Sequence, residues 1–254
     1  MHISFEIVPR SEEAVREQIT FIETELPFID AINVPDLLRL PIRSWDAGQY
    51  INQDRYAFIP HFRSIDFDLK ESRLEDIIEA KGLDRVLLVS GDPPPDMSHR
   101  VFETDVVDLI GKIRKRFPDI EIYAGFDPYR WSVKQEKAYI HRKLDAGADF
   151  LLSQPFFDHR FLEIFSDFIP SEKVFWGISP VVTDKSKAYW EKMNNAVFPK
   201  NYQASYEWNI ALAKEIIGHC ASEGGNIYFM PIRINLENYF LPIRDAMNEA
   251  GASG

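Results

Sequence analysis

The feature that most restricts the fold is an alternation that runs the length of the chain. Eight short apolar runs are separated by polar or helix-patterned segments: HISFEIV (2–8), FIDAINV (28–34), AFIPHF (57–62), RVLLVSG (85–91), IEIYAGF (120–126), FLLSQPF (150–156), KVFWGIS (173–179) and NIYFMPI (226–232). Each is short and rich in Val, Ile, Phe or Tyr, which suits a strand covered on both faces. Strands of that kind alternating with helices form a parallel sheet. Eight repeats favour a closed (β/α)8 TIM barrel over 1–254, and a barrel of this type needs ~250 residues. An open doubly wound sheet is the competing reading, and no G-x-G-x-x-G turn follows the first run to support it.

The intervening segments carry helix signals. SEEAVREQITFIETEL (11–26) opens on Ser11 and acidic residues, and ESRLEDIIEAKG (71–82) closes on Gly82. FETDVVDLIGKIRKRF (102–117) places acid first and base last, matching the helix dipole. SVKQEKAYIHRKLDAG (132–147) and ASYEWNIALAKEIIGHCASEG (204–224) are predicted as further helices. Two connections are irregular: 35–56, with two prolines and a weak helical period, and a polar and aromatic insert at 180–203 that reads equally as lid, interface or core cover.

The formal charge is −11, and no Lys/Arg cluster forms a stripe that could track phosphates, which argues against nucleic acid. No apolar run approaches the ~20 residues of a membrane span, so no membrane partner is expected. The first run begins at His2, leaving no room for a targeting peptide, and a cytoplasmic location is expected. The single cysteine, Cys220, sits in a helical pattern and reads as a small core residue. The histidines show no H-x-x-x-H spacing and there is no C-x-x-C, so no metal is expected.

Barrel enzymes gather their chemistry at the carboxyl ends of the strands. The polar residues expected there are Glu6, Asn33 and Asp36, His61 and Arg63, the run Ser90-Gly91-Asp92-Pro93-Pro94-Pro95, Asp127 with Tyr129 and Arg130, Gln154, and Arg233 with Asn235. Glu6 lies between Phe5 and Ile7; desolvation there raises a carboxyl pKa, which suits a general acid, though a structural glutamate fits as well. Gly91 admits close approach to the backbone and the prolines hold Asp92 in place, an arrangement shared with ordinary turns. Gln154, in an apolar run, is either a reader of a ligand edge or a partner of neighbouring backbone.

Together these segments resemble the methylenetetrahydrofolate reductase family. Ser4-Phe5-Glu6-Ile7-Val8-Pro9 is similar to the family's S-F-E-F-F-P, and Val89-Ser90-Gly91-Asp92-Pro93-Pro94 to its L-R-G-D-x-P. The stretch from Lys143 to Asp158, KLDAGADFLLSQPFFD, resembles K-x-D-A-G-A-D-F-x-x-T-Q-x-F-F-D and is the most specific of the three. The resemblance implies a barrel that uses NAD(P)H and bound FAD to reduce 5,10-methylenetetrahydrofolate to 5-methyltetrahydrofolate. It implies that Glu6 is the general acid and that Asp92 steadies the cationic iminium that accepts hydride. Gln154 would contact folate and nicotinamide in turn, with Phe156 and Arg233 as further substrate contacts. The flavin side would be Asn33, His61, Gly91, Asp92, Phe126, Arg130, Glu136 and Lys143.

The chain departs from the family pattern at the cofactor rim. The Gly-rich V-T-Y-G-A-G-G after strand 2 reads Ile32-Asn33-Val34-Pro35-Asp36. The A-A-Y-P-E-x-H after strand 5 reads Ala124-Gly125-Phe126-Asp127-Pro128-Tyr129-Arg130, and H-F-Y-T-L-N of strand 8 reads Tyr228-Phe229-Met230-Pro231-Ile232-Arg233. A flavin-free member therefore stays open, either transferring hydride directly or serving as a pterin-binding or methyl-transfer accessory protein. A homo-oligomer stays open too.

Overall fold

Alternating strands and helices close into a barrel in the computed structural model, which describes residues 1–94 and 99–252. The strands are β1 (Ile3–Glu6), β2 (Ala31–Val34), β3 (Ala57–Arg63), β4 (Arg85–Val89), β5 (Glu121–Phe126), β6 (Phe150–Pro155), β7 (Val174–Ile178) and β8 (Asn226–Phe229). Each pairs in parallel with the next, and β8 returns to β1 through Ser4 opposite Tyr228. The helices are α1 (Glu12–Glu25), α2 (Arg73–Lys81), α3 (Val106–Arg116), α4 (Val133–Asp145), α5 (His159–Ser166), α6 (Asp184–Asn194), α7 (Tyr206–Glu223) and α8 (Leu236–Ala252).

The helix ends follow the local chemistry. Ser11 caps α1 by accepting from Ala14 N, Ser132 and Gln135 form a capping box at the start of α4, and Gly82 ends α2 in the left-handed conformation. The helix expected from 102 begins only at Val106, capped by Asp105. The residues before it are stitched to the β3–α2 connection: Phe102 N donates to Ile65 O, Thr104 Oγ1 to Phe67 O and Ser64 Oγ to Thr104 O. Residues 35–56 hold a 3-10 helix, Ser44–Tyr50, where a regular barrel has an α-helix. The insert 180–203 contains α6, capped by Thr183.

Side-chain alternation divides the core in two. Ala31, Ile59, Leu87, Tyr123, Leu152, Phe175, Tyr228 and Met230 fill the barrel interior. A larger layer between strands and helices includes Phe5, Ile32, Phe126, Phe156, Phe165, Trp176 and Phe240. Cys220 belongs to that layer, and burial pushes its thiol up to about 12, as expected of a core cysteine. Full burial of each such side chain contributes roughly 1.5–3 kcal/mol. A third cluster joins Phe157 to Val181, Trp190 and Ala196, with Tyr129, Phe198 and Tyr202 packed against it. The insert is therefore core cover on the β5–β6 side of the barrel.

Candidate active site at the carboxyl-terminal mouth

Because Ser4, Ala31 and Ile59 occupy interior-facing registers, Glu6, Asn33 and His61 form the next inward layer toward the mouth. Glu6 is partly exposed there. The Tyr228 hydroxyl donates to its Oε2, and no other hydrogen bond to the Glu6 carboxyl exists among the described residues. Burial pushes the carboxyl up to about 7, with the Tyr228 bond opposing the rise. A group with that proton affinity both holds and releases a proton near neutrality.

A second polar chain runs across the neighbouring strands. Asn33 Nδ2 donates to Ser4 Oγ, so Asn33 Oδ1 is the acceptor facing His61 Nε2 at 3.3 Å. That fixes His61 as the tautomer protonated at Nε2. Burial lowers its pKa to about 3, so the ring is neutral across the working range of most enzymes. Asp36, at the end of β2, is buried against Arg43, whose guanidinium also lies 4.4 Å from the Trp45 ring centre.

Gln154 stands at a β-bulge: the β6–β7 register shifts between Leu152 and Pro155. Its half-buried amide has no protein partner among the described residues. Gly177 makes the bulge possible, because a Cβ there would stand 2.5 Å from Ser153 O and 2.9 Å from the Gln154 carbonyl carbon. Bulges commonly re-aim a side chain beside a site. This one also turns Phe156 outward, into contact with Phe161, Phe165 and Trp176. Phe126, one position past the inward Gly125, likewise packs outward on Phe165 and Trp176. Neither ring is brought to the mouth.

Gly91 has φ 79°, a left-handed conformation that favours glycine. The space its missing Cβ leaves is filled by Arg63, whose Cβ would lie 2.9 Å away, and is not open to a ligand as the sequence suggested. Asp92 follows it, exposed. Pro95, the last proline of that run, lies outside the described residues. Arg63 donates to Asp66 at 3.1 Å.

Lys143 and Glu136 are buried on the barrel-facing side of α4. The Lys143 ammonium donates to Gly125 O at 2.7 Å, lies 3.9 Å from Glu136 Oε1 and sits 4.0 Å over the Tyr139 ring. Burial lowers the Lys143 pKa and raises that of Glu136. Glu136 in turn accepts from Asp127 N, bracing the β5–α4 turn. Arg130 is exposed just beyond that turn, and Arg233 is exposed after β8 with φ 54°, rare for a residue with a side chain. Asn235 caps α8 through Asn238 N.

Comparison with known proteins bears on the family and the fold. The family model for methylenetetrahydrofolate reductase matches residues 51–218, two-thirds of the chain. The chain belongs to the methylenetetrahydrofolate reductase family. No curated protein sequence matches it. Among solved structures, it is similar to an uncharacterized protein from Clostridium thermocellum that binds two copies of 5-methyl-5,6,7,8-tetrahydrofolic acid. That match has a TM-score of 0.71 at 13% identity and covers 99% of this chain and 96% of the other. The catalytic domain of a chitinase from Pyrococcus furiosus matches with a TM-score of 0.57 at 9% identity over 99% and 95% of the two chains. A 2,3-dimethylmalate lyase gives 0.53 at 12% over 99% and 81%. At these identities the structural likenesses show the barrel alone.

Tyr228 is the neighbour of Glu6 that the sequence hid. In an apolar run a tyrosine reads as core. Only its inward register beside β1 marked it as a neighbour of Glu6. Among the described residues no helix is long and apolar enough to cross a membrane.

Proposed function

We propose that the chain binds a reduced folate at the barrel mouth and catalyses hydride transfer from NAD(P)H to its one-carbon unit, converting 5,10-methylenetetrahydrofolate to 5-methyltetrahydrofolate. The observation that carries this reading is Glu6, a carboxyl at the mouth with a proton affinity near neutrality, in a chain of this family. In this reading Glu6 gives its proton to N10 as the methylene bridge opens. The resulting N5 iminium cation accepts hydride at carbon, and the nicotinamide leaves oxidised. One proton and one hydride balance the product. The exposed Asp92 carboxylate has the right sign to steady the cation. The unpartnered Gln154 amide supplies both a donor and an acceptor to a planar ring edge. Arg233 offers a free cation to a folate carboxylate.

FAD is the cofactor the family usually carries, and part of the flavin side is altered here. Two of the residues that the resemblance assigns to the flavin, Lys143 and Phe126, are engaged elsewhere. Lys143 is held by Gly125 O and Glu136, and Asp127 and Glu136 surround the same turn. Phe126 packs outward into the core. The direct-hydride reading is therefore favoured over the flavin-dependent one.

A second reading, a folate-binding protein without redox chemistry, is favoured by the Clostridium thermocellum protein, which binds 5-methyl-5,6,7,8-tetrahydrofolic acid. Three measurements separate them. Calorimetric titration with 5-methyltetrahydrofolate is expected to show binding, weakened in Gln154→Ala. The purified protein is expected to be colourless in the visible, and NADH or NADPH oxidation is expected to depend on methylenetetrahydrofolate. Binding without oxidation selects the second reading; tightly held flavin restores the family's usual route; absence of folate binding overturns both.

A further inference from the structure

The geometry points to Tyr228 as the positioning residue for the Glu6 carboxyl: by donating to Oε2 from the barrel interior, its phenol leaves Oε1 as the oxygen that carries the exchangeable proton toward the mouth. This rests on the reading of Glu6 as the acid.

Ser4 and Tyr228 are register partners on β1 and β8, and Glu6 is one inward step further up β1. One such step rises roughly 6.5–7 Å, about the reach of a tyrosine side chain laid along the strand. The phenol therefore meets the carboxyl from below. Its ring belongs to the interior cluster with Phe175, Leu152 and Met230, so the hydroxyl has a fixed direction. Burial, reinforced by the adjacent Glu6, raises the Tyr228 pKa well above 10, which keeps its proton in place. Among the described residues Oε2 is the acceptor this buried phenol meets, and turning to accept from a protonated Oε2 would leave its own hydrogen unpaired, so it donates to Oε2 in both charge states of Glu6. The acid proton is then confined to Oε1.

In this chain the acid has a partner whose charge does not change. The proton inventory of the site is thereby reduced to Glu6 on this side and a neutral His61 on the other.

Infrared difference spectroscopy on the folate-free protein tests the assignment, with Glu6→Gln identifying the band. In the wild-type protein the C=O stretch of protonated Glu6 is expected at the lowered frequency of a carbonyl that accepts a hydrogen bond. Its midpoint is expected near the neutral range. In Tyr228→Phe the band moves to higher frequency and the midpoint rises by about 1 pH unit, because a donor that favours the charged form is gone. A wild-type band at the frequency of an unbonded carbonyl overturns the proposal without any variant. An unchanged band and midpoint in a folded Tyr228→Phe protein also overturns it. Because neither measurement uses folate or nicotinamide, a positive result with an inactive protein rejects the reductase reading and leaves Tyr228 in its role.

Discussion

The Tyr228 hydroxyl donates to the Glu6 carboxyl across the seam where the last strand meets the first, 222 residues apart in the chain. Closing the barrel thus brings the carboxyl and its partner together, and opening the β1–β8 pairing separates them.

A carboxyl held up to about 7 costs stability at neutral pH. Its folded-state affinity exceeds that of the unfolded chain, so the contribution is fully favourable below about 4.5 and is lost as pH rises to about 7. Glu6→Gln removes this loss while keeping an acceptor for Tyr228. Urea melts are expected to show the variant more stable at pH 8, on the order of 1–2 kcal/mol after allowing for water at the mouth, and near wild type at pH 4. A variant less stable at both pH values contradicts this account.

His61 has the opposite sign. Burial lowers its folded-state pKa to about 3, so its contribution is present above about 6.5 and is lost as pH falls toward 3. Replacing it with glutamine, which can still donate to Asn33, is expected to flatten the acid limb of a stability–pH curve over that interval. A curve of unchanged slope would show that other groups govern acid unfolding.

Gly177→Ala is expected to destabilise the fold by about 2–4 kcal/mol, since its Cβ would press on Ser153 O and Met230 Cε at 2.5 and 2.7 Å and backbone cannot easily give way. Folate affinity should fall with it, because the bulge bearing Gln154 moves. Thermal melts and folate titration read the two effects; a drop in Tm without loss of affinity separates the bulge from the site.

For Lys143, a bracing role predicts a coupled pair. Lys143→Met strands Glu136 as a buried charge and is expected to cost about 3–5 kcal/mol, whereas adding Glu136→Gln recovers much of that. Additive losses in the double mutant, measured by chemical denaturation, would reject the coupling.

Much of this molecule is written locally. Ser11, Gly82 and the Ser132–Gln135 box end their helices where short-range hydrogen bonds and left-handed backbone require. The apolar runs mark eight strands because a strand covered on both faces has no polar positions to give. Glu6, Asn33 and His61 could be placed at the mouth from their positions late in the apolar runs. Other features escaped such reading. The β6 bulge reverses the alternation, so Phe156 faces the helices although regular counting turns it inward. The 3-10 helix at Ser44–Tyr50 lacks a clear period, and α6 lies within a stretch whose aromatic residues obscure its polar face.

The sequence by itself determined the barrel and the place of Glu6 at a strand end, because those depend on hydrophobic period and residue type. Tertiary structure alone decided which polar atoms meet: that Tyr228 serves Glu6, that Asn33 orients His61, and that Lys143 faces inward to Gly125 and Glu136. Such pairings are set by barrel closure and by where helices dock, and a side chain's type does not reveal which distant partner satisfies it once it is removed from water.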